Sequence, residues 1–378
     1  MMQSIDVLRG LVRGGFFLGL VMASGLQAQT PVVTKTNVTV RVMAANLNGN
    51  TQSYQPFALR ILKGLKPDVV CIQEFNYSNN TAADLRFMVT NTLGTNYVYY
   101  REPYTASGNI PNGVISRYPF VTNGSWADAL QSQPNRGYAW ARIDLPGTND
   151  LYVVSVHLLT SSASVRSSEA TNLKALIQAN FPANAWIVVA GDFNCGSRTE
   201  SSTMTTFGSY VSDKPIPTDA VSGGNSDTSA NRNSPHDYVL ASFSLTNIET
   251  ASVFPSHSFP NGLVFDSRVY TPLSDVAPVQ QADSGLAQHM AVLKDFSVPY
   301  LVTNYVPVVV PPPVLVLQSS NVLQWAGVSN VTYTVQANTD LGATNWATLG
   351  TASSTSTNLV FTNSAAGMDF QFFRVTYP

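Results

Sequence analysis

Three short apolar runs in this sequence stop abruptly on an ionisable side chain, and that pattern leaves few folds open. They are Val69-Val70-Cys71-Ile72-Gln73-Glu74, Val153-Val154-Ser155-Val156-His157 and Trp186-Ile187-Val188-Val189-Ala190-Gly191-Asp192. Runs this short, rich in β-branched residues and bounded by turn formers, read as buried strands. Segments 38–46, 97–100, 113–116, 138–145, 238–241 and 290–296 carry the same signal, whereas helical apolar spacing appears at 54–65, 82–93 and 166–179. Many strands with few helices between them do not suit a doubly wound sheet. They suit an α+β arrangement in which two mixed sheets pack face to face under outer helices. The polar residues at the strand ends then gather along one edge, where loops vary without disturbing the core.

The chain is long enough to bury such a core and to carry a second, smaller unit: 378 residues, 44% hydrophobic and 11% charged. Arg9 and Arg13 precede the apolar run Phe16-Phe17-Leu18-Gly19-Leu20-Val21-Met22-Ala23, and Leu26-Gln27-Ala28 follows it. That order reads as a signal peptide over 1–28, too short for a membrane span, so the processed chain is expected to have no transmembrane segment. Expected locations are secreted, periplasmic or at a bacterial cell surface. Removing Arg9, Arg13 and Asp6 changes 20 basic and 22 acidic residues to 18 and 21, a net charge of −3. No polycationic clamp for nucleic acid follows from that balance, although a local basic groove is compatible with it. Cys71 and Cys195 are the two cysteines, each beside a strand end, and an exported protein permits either a disulfide or two buried thiols.

The chain changes character after Phe296. Residues 297–313 read as a stiff Pro/Val linker ending in Val308-Val309-Val310-Pro311-Pro312-Pro313. From Ser297 onward the charged side chains are Asp340, Asp369 and Arg374 alone. Alternating runs such as Thr332-Tyr333-Thr334-Val335-Gln336 make residues 314–378 a small β-sandwich whose scarcity of charge argues against electrostatic binding.

The strand ends hold the chemistry. Glu74 closes an apolar strand, where an unpaired buried charge is costly, and oxygen ligands suit Mg2+ or Mn2+; it is the leading metal ligand. His157 ends another strand and is suited to proton transfer or to donation toward phosphate. Gly191-Asp192-Phe193-Asn194 pairs an anion able to hold metal or water with an amide able to hold phosphate, Gly191 permitting the tight exit. Arg117, in Ser116-Arg117-Tyr118-Pro119, is a candidate phosphate contact or a clamp on its strand end, and Arg136 is a second candidate contact.

Taken in order, Asn46, Cys71-Ile72-Gln73-Glu74, Ile115-Ser116-Arg117-Tyr118-Pro119, Val156-His157-Leu158, Gly191-Asp192-Phe193-Asn194, His236-Asp237-Tyr238-Val239-Leu240 and Gln288-His289-Met290-Ala291-Val292 resemble the endonuclease/exonuclease/phosphatase superfamily from Val38 to Phe296. The resemblance implies a DNase I-like four-layered sandwich over 38–296 and a metal-dependent phosphoric ester hydrolase. It assigns Glu74 and Asp192 to the metal, makes His157, Asp192, Asn194, Asp237 and His289 catalytic, and gives Asn46, Arg117 and Arg136 to the substrate. The chain departs from the family pattern at His236, where an apolar residue is usual, and at Ala287 and Gln288, where Ser-Asp is usual. Gln288 keeps a carbonyl donor for metal but loses the charge, with Asp283 near enough in sequence to compensate; His257 and Asp266 are candidates for the substrate entrance. Nucleic acid is the first expected substrate and partner. A phospholipid such as sphingomyelin, a sugar or inositol phosphate, and a catalytically weak surface-binding protein are the alternatives. The C-terminal module resembles small β-rich units of exported bacterial proteins, which suggests surface attachment.

Overall fold

The computed structural model describes residues 7–12, 15–23, 29–103, 109–128, 135–221, 223–307, 314–319, 322–363 and 372–377. The chain divides into two compact units, 35–301 and a second formed from 1–34 with 302–378.

The larger unit is an α/β/β/α sandwich, and the period-2 alternation of its strands builds the layers. In Gln29–Ala45, Val42 and Ala44 face the interior between the sheets while Met43 and Ala45 face outward. Val69 and Cys71 likewise point inward, Val70 and Ile72 outward. Across the interior stand Val153, Val188, Ala190, Val239 and Ala241 of the second sheet, whose other face carries Val154, Ile187, Val189 and Leu240. Because both faces are covered, these strands read as continuous apolar runs.

The first sheet runs Glu249–Thr250, Ala291–Pro307, Gln29–Ala45, Val69–Ile72, Gly113–Ser116, Val98–Arg101, with Leu263–Phe265 also paired to Ala291–Pro307. Its outer face is covered by helices Pro56–Leu65, which opens on a proline and ends at left-handed Lys66, and Ala82–Thr92, which opens on a Thr81/Asp84 capping box. The second sheet runs Val211–Ser212, Asp237–Ser242, Trp186–Asp192, Leu151–His157, Tyr138–Ile143, Phe120–Trp126, and the helix Ala163–Asn180 lies on it through Ala170, Leu173 and Ile177. The α+β class expected from the strand-rich pattern is therefore the class found. No described helix is long and apolar enough to cross a membrane.

Three boundaries differ from the sequence expectation. The last strand of the unit continues through Pro307, so 297–307 is β-structure instead of linker, and 308–313 lie outside the described residues. The segment read as a leader supplies, in the chain that retains it, a hairpin of Val7–Val12 with Gly15–Ala23, the latter parallel to Phe372–Tyr377. The strand Phe120–Trp126, unmarked by its sequence, occupies the sheet edge with an exposed polar middle. Cys71 and Cys195 are free thiols: one lies between the sheets, the other beneath the outer helices, so the disulfide left open by the sequence does not form.

The smaller unit holds the three-stranded sheet Leu315–Ser319, Val322–Ala326, Asn358–Thr362 and a sheet containing Tyr333–Asn338, Ala347–Ala352 and Phe372–Tyr377. Trp325, Tyr333, Val335, Leu359 and Val375 form its core.

Candidate active site

Strand register gathers the ionisable residues. Trp186–Asp192 pairs in parallel with Leu151–His157 and antiparallel with Asp237–Ser242, which sets Asp192 directly between His157 and Asp237. In the other sheet, Ala45 pairs with Ile72, so Asn46 and Gln73 leave the sheet side by side. Two contacts tie the sheet ends together: Asn46 Nδ2 donates to Asp192 Oδ2 at 2.9 Å, and Gln73 Nε2 donates to Ser155 Oγ at 2.8 Å.

Asp192 is the hub. Its Oδ1 accepts the Asn194 backbone N–H at 2.8 Å, while Oδ2 stands 3.4 Å from His157 Nε2 and 3.5 Å from His289 Nδ1. Burial works against its charge, but the facing His289 and His157 rings and the Asn46 amide hold its pKa below the usual carboxylate range. His157, buried and beside Arg136, is driven down to about 3 and is a neutral ring at pH 7. His289 has the opposite fate: burial disfavours its charge, but Asp237 at 3.0 Å and Asp192 raise it to about 10. Asp237 itself is lifted by burial to about 6, while Thr228 Oγ1 donates to its Oδ2 at 2.7 Å.

Glu74 lies close enough to this hub to feel the Asp192 and His289 charges, at a left-handed φ of 50°, and is buried. Asn48 Nδ2 donates to its carbonyl at 2.9 Å and lies 3.4 Å from its Oε2. Burial, reinforced by Asp192, raises the Glu74 pKa, so a bare carboxylate is disfavoured there and a cation would relieve it. The buried oxygens Asn46 Oδ1 and Asn48 Oδ1 have no hydrogen-bond partner. Acceptors left over beside a buried carboxylate fit a hard divalent cation with oxygen ligands. Gln288 adjoins them: its backbone N–H donates to Asn48 O at 2.7 Å and its Nε2 to Gly49 O at 2.7 Å, bonds that do not engage its side-chain oxygen.

Other expected residues stand elsewhere or do other work. Arg117 is at the opposite end of the sheet: Gly113–Ser116 runs antiparallel to Val69–Ile72, so it meets Asp68 at 2.8 Å before the strand that Glu74 follows. It clamps that strand end and is not a substrate contact. The Asn194 amide donates to Leu158 O at 2.9 Å and, with φ at 51°, turns the backbone N–H onto Asp192, so it orients the aspartate instead of holding phosphate. Arg136 sends Nε to His157 O at 2.7 Å and Nη2 to Leu158 O at 3.0 Å, bracing the strand end while it lines a cleft of about 400 Å³ with Glu102, Trp126 and Asp128. Asp283 is ion-paired to Arg60 at 2.6 Å and does not replace the missing acid at Gln288. Asp266 is held by Arg268 at 2.8 Å, and His257 Nε2 meets Thr271 O at 2.6 Å.

Asn48 and Thr228 are the residues that strand-end reading missed. Asn48 shares the alternation of Asn46 around buried Leu47, and that spacing is its signal; Thr228 sits in a polar loop with no pattern of its own.

Residues 43–275 match the Endonuclease/Exonuclease/phosphatase family. The chain belongs to that family. Its DNase I-like fold is the four-layered arrangement described above. Members of the Endonuclease/Exonuclease/phosphatase family are hydrolases acting on phosphoester bonds, and they generally use divalent metals. Among solved structures, an endonuclease/exonuclease/phosphatase from Beutenbergia cavernae DSM 12333 is 15% identical, covers 90% of this chain and 100% of its own, with a TM-score of 0.49. The human Nocturnin catalytic domain with bound sulfate is 16% identical over 72% of this chain and 98% of its own, TM-score 0.45. An AP endonuclease from Archaeoglobus fulgidus is 14% identical over 68% of this chain and 99% of its own, TM-score 0.44. No curated protein matches the sequence.

Proposed function

We propose that this chain is an exported, divalent-metal-dependent phosphodiesterase that hydrolyses nucleic acid. The carrying observation is the Asp192 carboxylate, held charged where Asn46, His157 and His289 converge, with Glu74 near enough to feel its charge. Glu74, with Asn48 and Gln288 oxygens beside it, would hold Mg2+ or Mn2+, and that ion would supply Lewis-acid stabilisation of charge on the leaving oxygen. Asp192 orients the attacking water and accepts its proton, its own alignment fixed by the Asn194 N–H. His289, charged through Asp237, donates toward a non-bridging phosphoryl oxygen, and neutral His157 completes the pocket for the developing negative charge.

The leader-like segment supports export to the medium, periplasm or cell surface, and the weakly charged β-module supports surface attachment. The test is cleavage of DNA, RNA, sphingomyelin and small phosphomonoesters with Mg2+ or Mn2+, alongside Glu74→Gln. Metal-dependent cleavage of DNA or RNA that falls by about 100-fold or more in the variant supports the reading. Turnover confined to sphingomyelin or monoesters overturns the choice of substrate, and no turnover on any of them overturns the enzyme. The amino terminus of the exported protein near Gln29 reports leader removal.

A further inference from the structure

Glu102 is a buried carboxylate that the chemistry above does not use, and it stands on the rim that carries the site. It follows the strand Val98–Arg101, whose Arg101 pairs with Gly113, and Gly113 in turn pairs with Ile72, two residues before Glu74. Both of its oxygens are held: Oε2 accepts the Asn112 N–H at 2.8 Å, and Oε1 and Oε2 share the Gly137 N–H at 3.1 Å. A carboxylate has about four acceptor positions, so these bonds fix its orientation and leave acceptor capacity over. Burial pushes its pKa up to about 7, which an added donor would bring back down.

The carboxylate lines the cleft of about 400 Å³ that also takes in Trp126, Ala127, Asp128 and Arg136. Gly137 makes the approach possible, since a Cβ there would lie 2.3 Å from Trp126 O and 3.1 Å from Glu102 Oε1. The Trp126 indole is a fixed wall, packed on Trp140 with ring centres 5.6 Å apart and on Phe181 at 5.4 Å. Arg136 joins the cleft to the strand end of His157 through its bonds to His157 O and Leu158 O. Among the described lining residues it is the one cation, set against the carboxylates of Glu102 and Asp128. A second phosphate is therefore disfavoured there, and a neutral group that donates hydrogen bonds is favoured.

We infer that this cleft receives an unpaired nucleobase next to the phosphodiester being cleaved, with Glu102 accepting from its exocyclic amino group and Trp126 forming the wall the ring lies against. Adenine, cytosine and guanine carry such a group, whereas thymine presents a carbonyl oxygen where cytosine has its amine, and an oxygen faces a carboxylate unfavourably. Single strands are read by aromatic side chains and by hydrogen bonds to base edges that pairing would otherwise occupy. The inference rests on the nucleic-acid reading above and deepens it: single strands are preferred, and amino-bearing bases among them.

The test is fluorescence anisotropy of the full chain with end-labelled single-stranded oligomers of dC, of dT and of abasic sugar-phosphate. Chelator is present so that nothing is cleaved, and the pH is held near 8, where Glu102 is charged. The dC oligomer is expected to bind about 5-fold or more tightly than dT, and the abasic oligomer no better than dT. Glu102→Gln, whose amide donates as well as accepts, should bring dC and dT within about twofold of each other. Ala127→Trp, which fills the cleft from an exposed position, should weaken dC binding toward the abasic level. Far-UV circular dichroism checks each variant, and Ala127→Trp decides alone if Glu102→Gln does not fold. A parent chain that binds none of the oligomers, binds dC and dT equally, or binds the abasic oligomer as tightly as dC overturns the inference, as do folded variants that keep the parent's preference. Because no arm depends on turnover, a chain that shows the preference yet cleaves no ester loses the enzyme and keeps the cleft, and one that cleaves nucleic acid without the preference does the reverse.

Discussion

Gly191 takes a φ of 139°, and a Cβ built there would lie 2.2 Å from Val156 O and 2.5 Å from Gln73 Nε2. The neighbouring strand and the amide that crosses to Ser155 both occupy the space a side chain needs. Gly191→Ala is therefore expected to lose about 1–3 kcal/mol from backbone strain alone, with more from the displaced amide, read as a lower urea midpoint. At His157 the expected signature is pH dependence. Its ring is held neutral down to about 3, against 6.5 when unfolded, so the unfolded chain binds the extra proton between those values. The stability this contributes is present above pH 6.5 and is lost as pH falls toward 3. Asp237, raised from 3.8 to about 6, works in the opposite direction between those two values. In chelator the two nearly cancel between pH 6 and 3.8, so the His157 share is read against His157→Gln: the parent's urea midpoint should fall relative to the variant's as pH drops from 6.5 toward 3, even though the variant's is lower overall.

Between elements, the organising fact is that strand register places Asp192 beside both His157 and Asp237, and this was legible in part because apolar runs end on Asp192 and His157 and another begins at Asp237. What the runs could not reveal is direction. Arg117 reads as an active-site residue until Gly113–Ser116 is seen to run antiparallel to its neighbour, which carries the arginine to the far edge. Nor could they show which strand-end amides face a phosphate and which brace the backbone, since Asn194 depends on a left-handed φ that residue type permits without requiring. Thr228 was invisible for a related reason: its role arises from a loop folding back onto the Asp237–Ser242 strand. Its hydroxyl serves two backbone N–H groups and the Asp237 carboxylate, so Thr228→Val keeps the shape and strands three polar partners. A loss of about 1–3 kcal/mol is expected, together with reduced turnover as His289 loses its fixed partner, checked by denaturation and steady-state kinetics on the same variant.

At the scale of the molecule, the described apolar residues form four clusters, three drawn from residues 40–298 and one from 315–375. The sequence placed the change of character after Phe296 because charge disappears there, yet β-structure continues through Pro307. The reason lies in the pairing. Glu249–Thr250 reaches only Phe296, so among the described residues the strand beyond it has one open side, where Pro299 removes no ladder bond. A chain ended after Pro307 keeps every member of the three larger clusters and every residue of the candidate site. Its apolar layers are closed without the module, so it is expected to unfold in one cooperative transition and to turn over a soluble phosphoester within about twofold of the full chain, while the full chain shows a second calorimetric transition from the smaller core. A truncated chain that is folded but inactive would instead mean that the module takes part in the chemistry, and a full chain with one shared transition would mean that the two cores are energetically one.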